Sequence, residues 1–146
     1  MFKSWLQRIE NENYVSKNSE CDIHASVKQT ATKINGKIKA IENCLLEKCN
    51  IHGNVSLGMN VKISKAILNG QITIGDYSKI IDGVDLYGNI EIGKNTTLNG
   101  PNTDFTAALN KIKIGNFCSI ARNVTFQEYN HDLSQLTSYM VRTNLE

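Results

Sequence analysis

The chain has 146 residues and a net charge of +2, with 40% hydrophobic and 21% charged residues. This balance suits one domain with a sizeable core and favours neither a nucleic-acid nor an acidic partner. No stretch approaches the roughly 20 apolar residues of a membrane span, and the opening Phe2-Lys3-Ser4-Trp5 does not read as a signal peptide.

Residues 1–12 predict a short amphipathic N-terminal helix, because Phe2, Trp5, Leu6 and Ile9 fall at i, i+3, i+4 and i+7. It would cover the open end of the structure that follows. A membrane-surface anchor is the alternative, and Glu10 and Glu12 disfavour it. Residues 13–22 read as a polar connector, so 1–22 forms a cap-and-connector unit.

From Ile23 onward three interleaved series appear. One pairs an aliphatic with a small or branched residue: Ile23/Val27, Ala40/Cys44, Leu57/Val61, Ile74/Ser78, Ile92/Thr96, Ile114/Cys118, at spacings of 17, 17, 17, 18 and 22. A second runs Ile34/Ile38, Ile51/Val55, Leu68/Ile72, Leu86/Ile90, Ala108/Ile112 and ends at Phe126. A third runs Leu46, Ile63, Ile80, Leu98, Ile120. Such periodicity predicts an all-β fold, a parallel β-helix of hexapeptide repeats over residues 23–131, with three strands in each of six coils. A strand so short cannot bury its inward row alone, but stacked coils share a continuous core. A sandwich of short strands does not predict three registers that hold together. Gly36, Gly53, Gly70 and Gly88 recur at one corner, as a tight turn with positive φ requires.

The step from Leu98 to Ala108 is ten residues rather than six, so a looped-out insertion of about four residues is expected near 100–107. In repeat proteins such an insertion often lies on the binding face; drift tolerated at a turn is the plain alternative. After Phe126 the pattern stops. Leu133, Leu136, Met140 and Val141 have roughly helical spacing, so 132–146 reads as a C-terminal cap or the start of a truncated region.

Cys21, Cys44, Cys49 and Cys118 lack metal-ligand spacing. Cys44 and Cys118 occupy inward small-residue slots and read as reduced core thiols, which points to a cytoplasmic location. His24 and His52 sit at a corner and receive no role. His131 follows the last regular strand, beside Asp132. No other histidines stand at ligand spacing to it, so no metal is expected. There is no GxSxG, no P-loop and no GxGxxG after a strand.

The segment Ile114–His131, IGNFCSIARNVTFQEYNH, resembles the signature of the hexapeptide-repeat O-acetyltransferases that act on galactosides, maltose, nodulation factors and xenobiotics. That signature is an IG-x-x-C/V-x-I coil, an A-P-N-V-like hexad, and a loop with a catalytic His about seventeen residues after the first Ile; His131 stands seventeen after Ile114. Thr137-Ser138-Tyr139 is similar to the S-T-Y segment of the xenobiotic subgroup. The resemblance implies a left-handed β-helix, a homotrimer with acetyl-CoA bound between subunits, and His131 as general base toward a hydroxyl of a carbohydrate acceptor. It further implies Asn99, Asn102, Asp104, Glu128 and Asn130 as substrate-binding candidates. Glu128 and Asp132 are candidate orienters of the imidazole. Arg122 stands where the family usually has proline, and Met140 where the xenobiotic subgroup has proline. The further coils and tail that give the family most of its coenzyme A contacts do not follow His131. A non-catalytic scaffold or sugar-binding module is the alternative from another class. A carbonic-anhydrase-like zinc enzyme on the same fold would need three histidines at one site.

Overall fold

A computed structural model describes residues 12–128. The predicted N-terminal helix, and everything after Glu128 including Asn130, His131 and Asp132, lie outside the described residues. Between these limits the chain is a parallel β-solenoid of about 7 turns, all-β, with no helix among the described residues.

The strands are β1 (Tyr14–Val15), β2 (Glu20–Ile23), β3 (Lys28–Thr30), β4 (Lys33–Ala40), β5 (Leu45–Glu47), β6 (Asn50–Leu57) and β7 (Lys62–Ser64). They continue as β8 (Ile67–Ile74), β9 (Lys79–Ile81), β10 (Val84–Ile92), β11 (Thr97–Asn99), β12 (Thr103–Ile114), β13 (Ser119–Ile120) and β14 (Thr125–Gln127). One sheet runs β1-β4-β6-β8-β10-β12-β14, with β2 also on β4; the other runs β3-β5-β7-β9-β11-β13. Strands β4, β6, β8 and β10 each turn a corner at a central glycine, where φ is +151° at Gly36, +94° at Gly53, +138° at Gly70 and +93° at Gly88. A Cβ on Gly88 would lie 1.9 Å from the Ala107 carbonyl oxygen, so this corner admits no side chain.

The three series lie in register. Ile23 pairs with Ala40, Ala40 with Leu57, Leu57 with Ile74, Ile74 with Ile92 and Ile92 with Ile114. Leu46, Ile63, Ile80, Leu98 and Ile120 stack likewise. Ile34, Leu46, Ile51, Ile63, Leu68, Ile80, Leu86 and Leu98 are fully buried. The small-residue row adds cross-turn hydrogen bonds to this packing. Ser78 Oγ donates to the Gly93 carbonyl and Thr96 Oγ1 to the Gly115 carbonyl, both at 2.7 Å, and Cys44 Sγ approaches the Gly58 carbonyl at 3.0 Å. A hydroxyl is therefore tolerated in the core because the next turn supplies its acceptor.

Three readings change. Residues 13–22 are not merely a connector, because Val15 pairs with Ile34 and Cys21 with Ile38, adding a turn to the six expected. The register of β12 also differs from the one predicted. Leu86 pairs with Phe105 and Phe105 with Phe126, so Phe105 fills the place assigned to Ala108. Three of the four extra residues are Ala108, Leu109 and Asn110, because Gly88 pairs with Ala107 and Asn89 with Lys111, and they follow 100–107; the fourth lies between Leu98 and Phe105, a step one residue longer than the paired Ile80–Leu86. Ala107 stands where a glycine would continue the corner, and its φ is not positive. The tight turn is replaced there by a wider detour. Finally, a row at the third corner, Thr32, Cys49, Ala66, Val84 and Thr103, is buried as completely as the aliphatic columns.

Cys49 belongs to that row, and burial pushes its thiol up to about 11. Cys44 is also buried, whereas Cys21 is exposed. Iodoacetamide at neutral pH should label Cys21 in the folded protein and reach Cys44 and Cys49 only with denaturant. Mass spectrometry that finds Cys49 modified first would contradict this packing.

Candidate functional site

The last turns of the solenoid bring most of the candidate residues onto one end. Strand β12 leaves the stack at Ala108–Asn110, and Leu109 is 79% exposed at the tip. Glu128 fastens this detour. The Leu109 amide donates to Glu128 Oε1, Asn110 Nδ2 donates to Oε2 at 3.0 Å, and the Glu128 amide donates to the Thr106 carbonyl at 3.3 Å. The Leu109 amide, followed by the Asn110 side chain, holds the Glu128 carboxyl below its ordinary pKa. Past the bulge Lys111 pairs with Glu91, and Lys113 approaches the same carboxylate at 3.7 Å. Lys111 accordingly lowers the Glu91 pKa.

Two more candidates hold the last turns together. Asn99 Nδ2 donates to the Ile120 carbonyl at 3.2 Å, and its own carbonyl accepts from Thr103 Oγ1 at 2.8 Å. Asn102, with φ +56°, donates to Asn123 Oδ1 at 3.1 Å. These side chains link the insertion turn to the signature turn. Asp104 instead lies on the outer face of β12, where it accepts from Thr125 Oγ1 at 2.8 Å. Glu128, Asn99, Asn102 and Asp104 thus surround the final turn without converging on a single point.

Asp85 and Tyr87 escaped the sequence reading. Asp85 is directly opposite Asp104 across the parallel pair β10/β12, and Tyr87 is opposite Thr106. Both are half-buried. Burial first, and then Asp104, raise the Asp85 pKa against the lowering effect of the Ile67 amide; burial followed by Asp85 and Asp104 raises that of Tyr87. Nothing in the pattern marked them, because they occupy ordinary outward polar positions. Stability credited to Asp85 is present while its carboxyl is protonated and is lost as the pH rises through the raised carboxylate range. Asp85→Asn should therefore stabilise the fold at pH 7 by about 0.2–1 kcal/mol, the worth of relieving one like-charge pair. The advantage should fade as the pH falls through the raised carboxylate range and Asp85 takes up its proton. Urea melts showing an equal gain at pH 7 and below that range would remove the electrostatic cause.

Among the described residues no three His, Cys, Asp or Glu side chains come together as a metal site. A hollow of about 490 Å³ lies at the far end of the solenoid, beside Glu20, Asp22, Lys37, Lys39, Asn54 and Ser56, and includes none of the candidates. No helix among the described residues is long and apolar enough to cross a membrane. No family model, curated protein or solved structure matches the chain, so the fold rests on its own register and packing.

Proposed function

We propose that the chain is an acetyl-CoA-dependent O-acetyltransferase acting on a hydroxyl of a sugar or surface polysaccharide. In this reading the solenoid is a left-handed β-helix of hexapeptide repeats, assembled as a cytoplasmic homotrimer. The observation that carries it is the signature segment Ile114–His131. Its support from the fold is that the segment's first part continues the stack in register. Ile114 lies on Ile92, Ile120 on Leu98 and Phe126 on Phe105.

The chemistry asked of His131 is that of a general base. A neutral imidazole, with an ordinary pKa near 6.5, accepts the proton of the acceptor hydroxyl at neutral pH. The hydroxyl oxygen attacks the thioester carbonyl, the C–O bond forms, the C–S bond breaks, and the proton passes to the departing thiolate. A carbonyl or carboxylate on the second ring nitrogen would fix the tautomer. Glu128 is already engaged by the Leu109 amide and the Asn110 side chain, which favours Asp132 or a backbone carbonyl for that task.

The test is transfer from acetyl-CoA to a panel of mono- and oligosaccharides, followed as release of free coenzyme A thiol and one added acetyl group per acceptor by mass. Transfer to a hydroxyl is expected. The alternative, a non-catalytic β-helix scaffold or sugar-binding module, predicts neither transfer nor any acetyl-CoA binding by calorimetry.

A further inference from the structure

One corner of the solenoid carries a row of residues in the left-handed conformation. They are Asn43 (φ +59°), Asn60 (+56°), Tyr77 (+60°), Asn95 (+53°) and Phe117 (+57°). The row is continuous, because the amides of Asn60, Tyr77, Asn95 and Phe117 donate at 2.9 Å to the carbonyls of Glu42, Met59, Asp76 and Lys94 in the preceding turn. Asparagine suits this backbone, since its short polar side chain tolerates the conformation; a bulky aromatic is held there at a cost.

Burial does not offset that cost at the two aromatic positions. Tyr77 is 53% and Phe117 79% exposed. Exposed Met59 adjoins Tyr77 one turn away, with Tyr77 Oη directed at Met59 Sδ across 3.7 Å, and exposed Ile41 lies farther along the same corner. Of the charges around this corner, Lys94 and Asp76 pair at 2.8 Å, and exposed Glu42 and Lys79 are of opposite sign. The corner therefore offers flat apolar plates interleaved with amides and little net charge.

With about one plate per turn, the corner is a narrow edge rather than the broad surface, roughly 800 Å² per partner, that a stable protein interface buries. It does match a carbohydrate chain, whose rings have an apolar C–H face for an aromatic plate and equatorial hydroxyls for an amide. Tyr77 and Phe117 stand two turns apart, about 10 Å, a separation that alternate rings of an extended chain can span, and Asn95 lies between them, level with the intervening ring. We propose that this corner binds an uncharged oligosaccharide, with Tyr77 and Phe117 each stacked on a sugar ring and Asn95 hydrogen-bonded to a hydroxyl between them. The proposal rests on the proposed function for the carbohydrate class and extends it to a second contact with an oligosaccharide.

Cellohexaose, chitohexaose and maltohexaose are the probes, read by calorimetry and saturation-transfer NMR on the full chain. At least one should bind. Tyr77→Asn and Phe117→Asn install the residue that neighbouring turns already carry, so neither should lower the melting temperature. Each should weaken binding about tenfold, equivalent to about 1.4 kcal/mol, and the double variant should show none. Failure of all three probes to bind, or undiminished binding by the double variant, overturns the proposal. So does a double variant that sediments as a smaller species, because the corner would then be a contact between copies. Acetyl transfer to a monosaccharide, measured in parallel, separates the two ideas. Oligosaccharide binding without transfer sinks the enzyme and spares the corner, while transfer that persists in a double variant with unchanged binding does the reverse.

Discussion

Phe105→Ala is expected to destabilise the protein by about 3–5 kcal/mol, the range for deleting a buried aromatic ring. Phe105 is 1% exposed and stacks on Phe126 with ring centroids 4.8 Å apart and planes within 6°. Deletion removes a packed ring from the second column and leaves a cavity where the surrounding backbone cannot collapse, because β10 and β14 hold β12 on both edges. Against a typical stability of about 5–15 kcal/mol this is a large loss. Phe105→Leu should recover much of it, whereas Ala108→Gly should cost little, since Ala108 is exposed in the bulge. Urea denaturation of the three variants checks this directly. An Ala108 variant as damaging as Phe105→Ala would mean that the register is wrong.

His131→Ala is expected to lower acetyl transfer by about 10²–10⁴-fold, the usual contribution of a positioned general base. The urea midpoint should not move, because the core is built from residues 34–107. The pH profile adds a sign to the test. On the proposed mechanism, wild-type turnover should rise as the imidazole loses its proton, and that limb should vanish in the variant. A variant with full activity and an unaltered profile would take His131 out of the mechanism while leaving the solenoid untouched.

Much of the architecture was legible because the core is written in one dimension. A turn of 17 or 18 residues repeats Ile34, Ile51, Leu68 and Leu86 in the same slot, and each turn packs only against the turns above and below it. Legibility failed where the slot changed chemistry. The second series followed aliphatic residues and so stepped to Ala108, although the broad aromatic surface of Phe126 in the next turn suits Phe105. The Thr32–Cys49–Ala66–Val84–Thr103 row mixes polar and apolar residues, so hydropathy concealed it. Its hydroxyls are buried only because carbonyls receive them, as Thr103 Oγ1 is received by Asn99.

The candidate site was less legible than the columns. Asn99, Asn102 and Glu128 were singled out for substrate, yet their amides and carboxylate fasten the final turns to one another. Asparagine looks the same in sequence whether it faces a ligand or closes a corner. Asp85 and Tyr87 became visible only once the stacking set them beside Asp104 and Thr106.

The glycine corner has a consequence for how such a chain can change its length. Gly36, Gly53, Gly70 and Gly88 are nested so tightly that each leaves no room for a methyl group against the turn beside it. Inserting or deleting a residue within the glycine-bearing strands would slide a side chain into that seam, whereas the 18-residue step from Gly70 to Gly88 shows that another corner absorbs an extra residue without disturbing it. Lineages of this protein should therefore keep those strands fixed in length, while small insertions accumulate at the other corners and beyond Ala107, where the seam has already ended.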